Sequence, residues 1–210
     1  MAGGALPVRL LVFARAPVAG QAKTRLIPAL GAEAAARLHG RLVRRALEAA
    51  SGSGAGPVEL WCAPDCSHDF LRDCERESGC RLQAQPDGDL GQRMRVALEA
   101  GLPAVLLGSD APGLTGATVR AAAKALERGN DCVVVPALDG GYVLIGLAVP
   151  APRLFEDIGW GGDRVLEQTR RRCTQLGLRL AELPPCADID RPEDLLHCPP
   201  ELLHGLLPAP

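Results

Sequence analysis

The chain has 210 residues, enough to bury a substantial core, and we expect residues 1–210 to form one domain. A formal net charge of −2 provides no general attraction to nucleic acid or anionic membranes, and aromatic residues, the platforms for base stacking, make up only 3%. The apolar run near the N-terminus is too short for a signal-peptide core, and no segment approaches a membrane-spanning length. We therefore expect a cytoplasmic protein that does not bind nucleic acid and has no membrane span.

Short apolar runs alternate with segments of helical periodicity along the chain. Strands are predicted over residues 8–14, 58–63, 81–85, 104–108, 132–135, 142–147 and 178–183. Helices are predicted over residues 32–50, 70–77, 90–100, 115–128 and 163–176, with a short helical turn over 192–196. This alternation is typical of a three-layer α/β/α fold with a mainly parallel sheet. The closely spaced strands 132–135 and 142–147 would add an antiparallel pair and make the sheet mixed.

The eight cysteines contain no C-x-x-C pair. Four of them lie between Cys62 and Cys80, with His68 among them, which raises the question of a zinc site. Their spacing does not match the usual zinc knuckle, so the pattern favours ordinary reduced thiols.

The fourth predicted strand ends in the motif G-S-D-A-P-G, which contains Asp110. Ligands of open α/β sheets bind just outside the carboxyl ends of the strands. A carboxylate at such a position is a good ligand for a divalent metal. The alternative is that Asp110 caps the following helix, and the motif alone supports both interpretations equally.

A basic loop, A-R-A-P-V-A-G-Q-A-K-T-R-L, follows the first predicted strand. Small residues expose backbone amides, and three cations close together suit a phosphate group. The spacing fits neither a P-loop nor the dinucleotide-binding G-x-G-x-x-G motif. We predict nucleotide contacts here, the alternative being a solvated surface loop. The residues concerned are Ala14, Arg15, Gly20, Lys23 and Arg25.

Two further loops offer ligand contacts. Segment 85–94 places a glycine turn and polar donors after a strand, and segment 136–142 carries two glycines that let a ligand approach the backbone. The alternatives are a plain loop in which Asp89 caps the next helix, and a simple hairpin turn. We predict nucleotide binding by Gln85, Gly88 and Arg93, and substrate binding by Asp139, Gly140 and Gly141.

Near the C-terminus, the motif D-I-D-R-P-E-D-L carries two carboxylates two residues apart. On an extended segment Asp188 and Asp190 point to the same side, so they could complete a metal site begun by Asp110. Alternatively, Asp190 caps the helix that begins at Pro192, since proline favours the first helical position. Both interpretations hold together if Asp188 binds the metal and Asp190 caps the helix.

The chain resembles a bacterial family of small glycosyltransferase A-fold (GT-A) proteins related to nucleotide-diphospho-sugar transferases. The resemblance lies in ordered motifs that span nearly the whole length: P-V-A-G-Q-A-K-T-R-L, G-D-L-G-Q-R-M, G-S-D-A-P-G-L, D-G-G-Y-V-L-I-G, L-F-E-D-I-G-W and D-I-D-R-P-E-D-L. It implies an α/β/α nucleotide-binding domain with a divalent metal. It also implies that Lys23 and Arg25 hold a triphosphate and that Asp110 holds the metal.

The chain departs from that resemblance at two places. Asp110 stands alone, whereas metal-dependent glycosyltransferases typically carry an Asp-x-Asp pair, and this difference weakens the glycosyltransferase interpretation. Arg191 stands where relatives usually carry threonine, a difference expected to affect only the turn.

From these motifs we expect a transferase that uses Mg²⁺ or Mn²⁺ and acts on a nucleotide or nucleotide-sugar and a small-molecule acceptor. Lys23, Arg25 and Asp110 would be catalytic, Asp110 with Asp188 or Asp190 would hold the metal, and Trp160 would help to shape the substrate pocket. Glycosyl transfer is slightly favoured over nucleotidyl transfer with pyrophosphate release. A non-catalytic nucleotide-binding protein is the third possibility, and the oligomeric state stays open.

Overall fold

The computed structural model describes residues 7–206. In this part of the chain the strands form one mixed seven-stranded sheet in the order β3-β2-β1-β4-β6-β5-β7. Strand β6 is antiparallel to both of its neighbours, and all other pairs are parallel. The predicted mainly parallel, mixed sheet is therefore confirmed. The strands are β1 Arg9–Arg15, β2 Val58–Ala63, β3 Arg81–Ala84, β4 Ala104–Gly108, β5 Cys132–Pro136, β6 Tyr142–Leu147 and β7 Leu180–Glu182.

Helices cover both faces of this sheet. Helices α2, α3 and α5 contribute to the core on one face, and α4 and α6 to the core on the other. The helices are α1 Ile27–Leu30, α2 Ala32–Ser53, α3 Asp69–Ser78, α4 Leu90–Glu99, α5 Gly116–Glu127, α6 Val165–Leu176 and α7 Pro200–Leu203, and 3₁₀ turns cover Thr24–Leu26, Pro152–Phe155 and Pro192–His197. The predicted three-layer α/β/α architecture is confirmed. The predicted domain also includes residues 1–6 and 207–210, which lie outside the described part.

The central strands β1, β4, β5 and β6 are buried on both sides, and their successive side chains enter opposite cores. In β1, Leu10 and Val12 belong to the core beneath α2, whereas Leu11 and Phe13 belong to the core beneath α4. This arrangement explains why β1 is a continuous apolar run in the sequence rather than an alternating one.

A third apolar cluster lies away from the sheet and contains Leu26, Leu30, Leu38, Leu42 and Ile189. It joins the segment after β1, helix α2 and the C-terminal segment. Within residues 7–206, no helix combines the length and apolar character that crossing a membrane would require. All eight cysteines are free thiols.

The chemistry-bearing segments of the sequence all meet at one edge of the sheet. The basic loop follows β1, the Gln85 segment follows β3, and Asp110 follows β4. Because β5 runs parallel to β4, the loop between β5 and β6 lies at this edge too, as does the segment after β7. Chain order reverses between β1 and β4, which is the usual ligand position in such sheets.

Candidate active site

The centre of the site is an ion pair at the β1–β4 crevice. The Lys23 ammonium lies 2.9 Å from Oδ1 of Asp110, and only 3% of the lysine side chain is exposed. The ammonium also donates to the carbonyl oxygen of Ile189. The structure thus brings the predicted phosphate-binding lysine and the predicted metal ligand into direct contact.

Local backbone geometry directs Lys23 inward. Lys23 has φ 49° and ψ 45°, a left-handed conformation that a non-glycine residue seldom adopts. Such a conformation costs about 1–3 kcal/mol and is commonly found at functional sites. The 3₁₀ turn that begins at Thr24 then carries Leu26 into the third apolar cluster, which holds the loop in place.

Asp110 is not a helix cap. The cap of α5 is Thr115, whose side chain accepts a hydrogen bond from the backbone N–H of Thr118. The Asp110 side chain is 44% exposed, and its backbone carbonyl accepts from the N–H of Ile189. Its carboxylate faces Lys23 at the strand end and caps no helix, which removes the capping alternative.

His39 is a site residue that sequence reasoning missed. Its Nε2 lies 3.0 Å from the carbonyl oxygen of Arg15, and its Nδ1 lies 3.9 Å from Oδ1 of Asp110. Nδ1 is buried and has no hydrogen-bond partner. Burial lowers the pKa of His39, an effect that the Asp110 charge partly offsets. The one signal in the sequence was a histidine on the apolar face of the predicted helix 32–50.

Beside this ion pair lies a cleft of about 360 Å³ that we call the acidic cleft. Burial, and then the carboxylates of Asp139, Asp194 and Asp110, raise the pKa of Asp188 to about 6. Negative charge is therefore concentrated on this side of the site. Five carboxylates and two guanidinium groups line the acidic cleft: Asp139, Asp163, Asp188, Asp190 and Asp194, with Arg25 and Arg191.

Asp188 and Asp190 line the same cleft, as their spacing predicted, while Ile189 between them is fully buried. The Asp190 carboxylate, however, pairs with the exposed guanidinium of Arg25. Nor does Asp190 cap the following turn. The carboxylate of Asp194 accepts from the backbone N–H groups of Asp190 and Arg191 at 3.0 and 2.7 Å. The prediction that Asp190 caps this turn was wrong, because the carboxylate of Asp194 accepts these hydrogen bonds instead.

A second cleft, of about 290 Å³, lies against the loop between β1 and Lys23, and we call it the arginine cleft. The Gln85 amide donates to the carbonyl oxygen of Trp61 at 2.9 Å and to that of Ala14 at 3.4 Å. Arg93 donates through Nε to the carbonyl oxygen of Gly88 at 2.8 Å. The lining includes Arg15, Gln21, Pro64, Gln85, Asp87 and Arg93, which brings together three of the predicted nucleotide-binding side chains.

The glycines predicted to bind ligands are explained by backbone conformation or by close packing within the chain. Gly20 and Gly88 have positive φ angles of 79° and 116° in turns. At Gly140, with φ 93°, a Cβ atom would lie 1.9 Å from the carbonyl oxygen of Asp163, so close packing within the chain accounts for this glycine. Gly141 donates its N–H to Oδ1 of Asp139 at 3.0 Å, which forms an Asx turn.

Trp160 lies in the loop before α6 and packs over the start of α4. Its ring stacks on Phe155, with centroids 6.4 Å apart, and meets Tyr142 edge-on at 6.5 Å. A Cβ atom at Gly91 would lie 2.4 Å from the indole Nε1. The glycine of the G-D-L-G-Q-R-M motif therefore makes room for this tryptophan. Trp160 lines a third cleft and not the acidic cleft, although the next residue, Gly161, lines the latter.

The donor set fits a divalent cation that takes part of its coordination from a ligand. Among residues 7–206, no three His, Cys, Asp or Glu side chains lie close enough together to hold a metal ion by themselves. Mg²⁺ typically uses one or two carboxylates and completes its shell with water and substrate phosphates. Asp110 and Asp188 supply such a pair, and a cation would relieve the repulsion that raises the Asp188 pKa.

Comparison with solved structures agrees with the fold. The chain matches a candidate nucleotide-diphospho-sugar transferase from Desulfovibrio desulfuricans G20 at 29% identity and TM-score 0.80, covering 91% of this chain and 85% of that one. It matches a cytidylyltransferase from Leptospira borgpetersenii serovar Hardjo-bovis at 15% identity and TM-score 0.59, covering 91% and 84%. Rv0371c from Mycobacterium tuberculosis H37Rv, solved in complex with manganese, matches at 17% identity and TM-score 0.56, covering 91% and 97%.

The fold is thus that of GT-A-type nucleotide transferases, and the predicted enzyme class agrees with the names of the first two neighbours. The chain belongs to the DUF2064 family, described as uncharacterized proteins conserved in bacteria, which matches residues 46–162. No curated protein matches the chain.

Proposed function

We propose that this protein is a divalent-metal-dependent transferase that moves a glycosyl group from a nucleotide-diphospho-sugar to a small-molecule acceptor. The acidic cleft beside the Lys23–Asp110 pair is the observation that carries this choice. Carboxylates accept hydrogen bonds from the hydroxyl groups of a sugar or a neutral acceptor. The same carboxylates repel a phosphorylated acceptor, which the competing nucleotidyl transfer would require.

The chain's own residues divide the work between the two clefts. Arg15, Gln85 and Arg93 bind the nucleotide in the arginine cleft, where the guanidinium groups donate to phosphate or base oxygens. Lys23 and Arg25 neutralise charge that develops on the phosphates as the bond to the sugar breaks. Such catalysis consists mainly of positioning and electrostatic stabilisation.

On the opposite side of the phosphates, Asp110 and Asp188 would hold Mg²⁺ or Mn²⁺. When bound, the metal supplies Lewis-acid stabilisation of the leaving diphosphate. Asp139 and Asp163, which line the acidic cleft, orient acceptor or sugar hydroxyls. This arrangement places the two ends of the donor in different surroundings: the charged phosphates lie toward the cations, and the sugar hydroxyls lie toward the carboxylates.

Nucleotidyl transfer to a phosphorylated acceptor is the second candidate. The observation in its favour is the number of cations near Asp110: Lys23 contacts it, and Arg15 and Arg93 line the neighbouring cleft. Three cations suit a triphosphate better than a diphosphate. The isolated Asp110, without a partner in an Asp-x-Asp motif, points the same way.

The test is a product assay with Mn²⁺ or Mg²⁺. We expect release of a nucleoside diphosphate from at least one nucleotide-sugar in a panel, and no pyrophosphate from nucleoside triphosphates mixed with sugar phosphates. Asp110→Asn should lower turnover by about 100-fold or more, because the metal and its charge are lost. Glu127→Gln, an exposed acid at the end of α5, is the control and should leave turnover unchanged.

Two results would contradict glycosyl transfer. Release of pyrophosphate alone would establish the nucleotidyl reaction instead. Nucleotide binding that survives Asp110→Asn, together with no turnover of any donor, would indicate a binding protein without catalysis.

A further inference from the structure

The buried Lys23 ammonium occupies a position with the chemistry of a cation site. It contacts Oδ1 of Asp110 at 2.9 Å and the carbonyl oxygen of Ile189, and it is almost completely shielded from water. Both partners are oxygen acceptors of the type that divalent cations also select. Lys23 therefore occupies the position from which a metal ion would contact Asp110, the proposed metal ligand.

His39 supplies an independent sign that a cation belongs at this position. The carbonyl oxygen of Arg15 can only accept a hydrogen bond, so His39 donates from Nε2 and presents the lone pair of Nδ1. That lone pair is buried, has no partner, and lies 3.9 Å from the Asp110 oxygen that binds Lys23. Two acceptors facing each other at this distance are stabilised by a positive charge close to both.

A lysine ammonium and a divalent cation cannot both contact Oδ1 of Asp110 at low energy, because their like charges repel each other. Nucleotide phosphates bind ammonium groups strongly, and the loop that carries Lys23 runs from the arginine cleft to Asp110. A phosphate bound between the two clefts thus competes with Asp110 for the same ammonium.

We propose that Lys23 blocks the metal position at Asp110 in the nucleotide-free protein, and that nucleotide phosphates unblock it by drawing the ammonium away. Binding is then ordered, with nucleotide before metal. The inference rests on the proposed function, since it takes a phosphate-bearing ligand and a divalent metal as given. By linkage, the metal in turn strengthens nucleotide binding by the same factor as the nucleotide strengthens metal binding.

The test titrates Mn²⁺ alone into the nucleotide-free protein, with bound ion counted by electron paramagnetic resonance. We expect weak binding to the wild type and a Kd about tenfold lower or more for Lys23→Met, which removes the competing charge. The second lysine of the chain, Lys124, is exposed on α5, so Lys124→Met is a matched control and should bind like the wild type. Adding Asp110→Asn to Lys23→Met should abolish the gain.

Equal Mn²⁺ affinity of wild type and Lys23→Met would overturn the proposal. If Lys23→Met does not fold, Lys23→Gln keeps an amide donor in place of the charge and decides the question by the same titration. The order of binding is tested with ADP, CDP, GDP and UDP in EDTA. At least one should bind the wild type without metal, and binding only in the presence of Mn²⁺ would overturn the order.

The proposed function and the blocking role of Lys23 can be disproved independently of each other. If no nucleotide binds with or without metal, the proposed function is wrong, yet the titration of Mn²⁺ alone still decides whether Lys23 blocks Asp110. If nucleotides bind and are turned over but Lys23→Met gains no Mn²⁺ affinity, only the blocking role is wrong.

Discussion

Asp188 lies half-buried among other carboxylates, and its ionisation is linked to the stability of the fold. Its pKa is about 6 in the folded protein and about 3.9 in an unfolded chain. A group whose pKa rises on folding contributes stability that is fully present below its unfolded pKa. That contribution is lost as the pH rises through the folded value. Stability from this group therefore declines between about pH 4 and pH 6.

Asp188→Asn should stabilise the metal-free protein at pH 7.5, because the amide removes a charge that burial and its neighbours disfavour. Allowing for solvent screening of a half-exposed group, we expect a gain of about 1 kcal/mol, or roughly 2–4 °C in Tm. The gain should vanish near pH 4. Thermal melts in EDTA from pH 4 to 8 measure it, with Glu127→Gln as control. A gain independent of pH would show that repulsion at Asp188 is not its cause.

At the level of residues, the sequence located Asp110 because a single acid follows a continuous apolar run. It did not reveal His39, since a histidine on a helix face is indistinguishable from a core residue until the partner of each ring nitrogen is known. The pairing of Arg25 with Asp190 was equally inaccessible. It joins residues that are 165 positions apart in the chain.

At the level of elements, the start of α4 depends on Gly91, which packs against the indole of Trp160. In Gly91→Ala the new Cβ would lie 2.4 Å from Nε1, so the indole or the helix must move. Overpacking of this kind costs about 1–3 kcal/mol. Gly52→Ala is the matched control, because Gly52 lies in α2 with no atom within 4 Å of the new methyl group.

We expect Gly52→Ala to lie between no change and a gain of about 1 kcal/mol, as helix propensity predicts. Urea denaturation, followed by circular dichroism, measures the free energy of unfolding of both variants. If Gly91→Ala is as stable as Gly52→Ala, the tryptophan does not require this glycine.

Most elements could be predicted because their periodicity or apolar character is strong. The bounds of β2, β4 and β6 agree with the predicted ranges, and α2 continues three residues beyond its predicted end. The short segments α1, α7, Thr24–Leu26 and Pro152–Phe155 were not predicted, since one helical turn has no measurable periodicity. The strand predicted over 178–183 shortens to β7, whose pairing with β5 covers only three residues.

At the level of the whole molecule, the third apolar cluster holds the two halves of the candidate site together. Fully buried Ile189 packs in it, and its backbone contacts both Asp110 and Lys23. The equally buried Ile145 lies in β6, in the core beneath α4. A substitution at Ile145 should affect only the stability of the fold, whereas one at Ile189 should also disturb the candidate site. Comparing the two therefore distinguishes the two effects.

Ile189→Ala and Ile145→Ala should each lower the free energy of unfolding by about 2–5 kcal/mol, because each leaves a cavity. Only Ile189→Ala should also weaken nucleotide binding, since it loosens the segment that carries Asp188. Urea denaturation measures the first effect, and the shift in Tm on adding nucleoside diphosphates with Mn²⁺ measures the second. Equal loss of nucleotide binding in both variants would assign the effect to general destabilisation.

The hydrogen bond from Lys23 to Ile189 spans 166 residues and has a consequence for biosynthesis. On the ribosome, the basic loop and Asp110 emerge well before the segment that completes their surroundings. A nascent chain stopped before residue 188 would carry every strand of the sheet but lack the C-terminal acids. Catalytic competence is therefore among the last properties that the growing polypeptide acquires, and incomplete chains carry no finished centre.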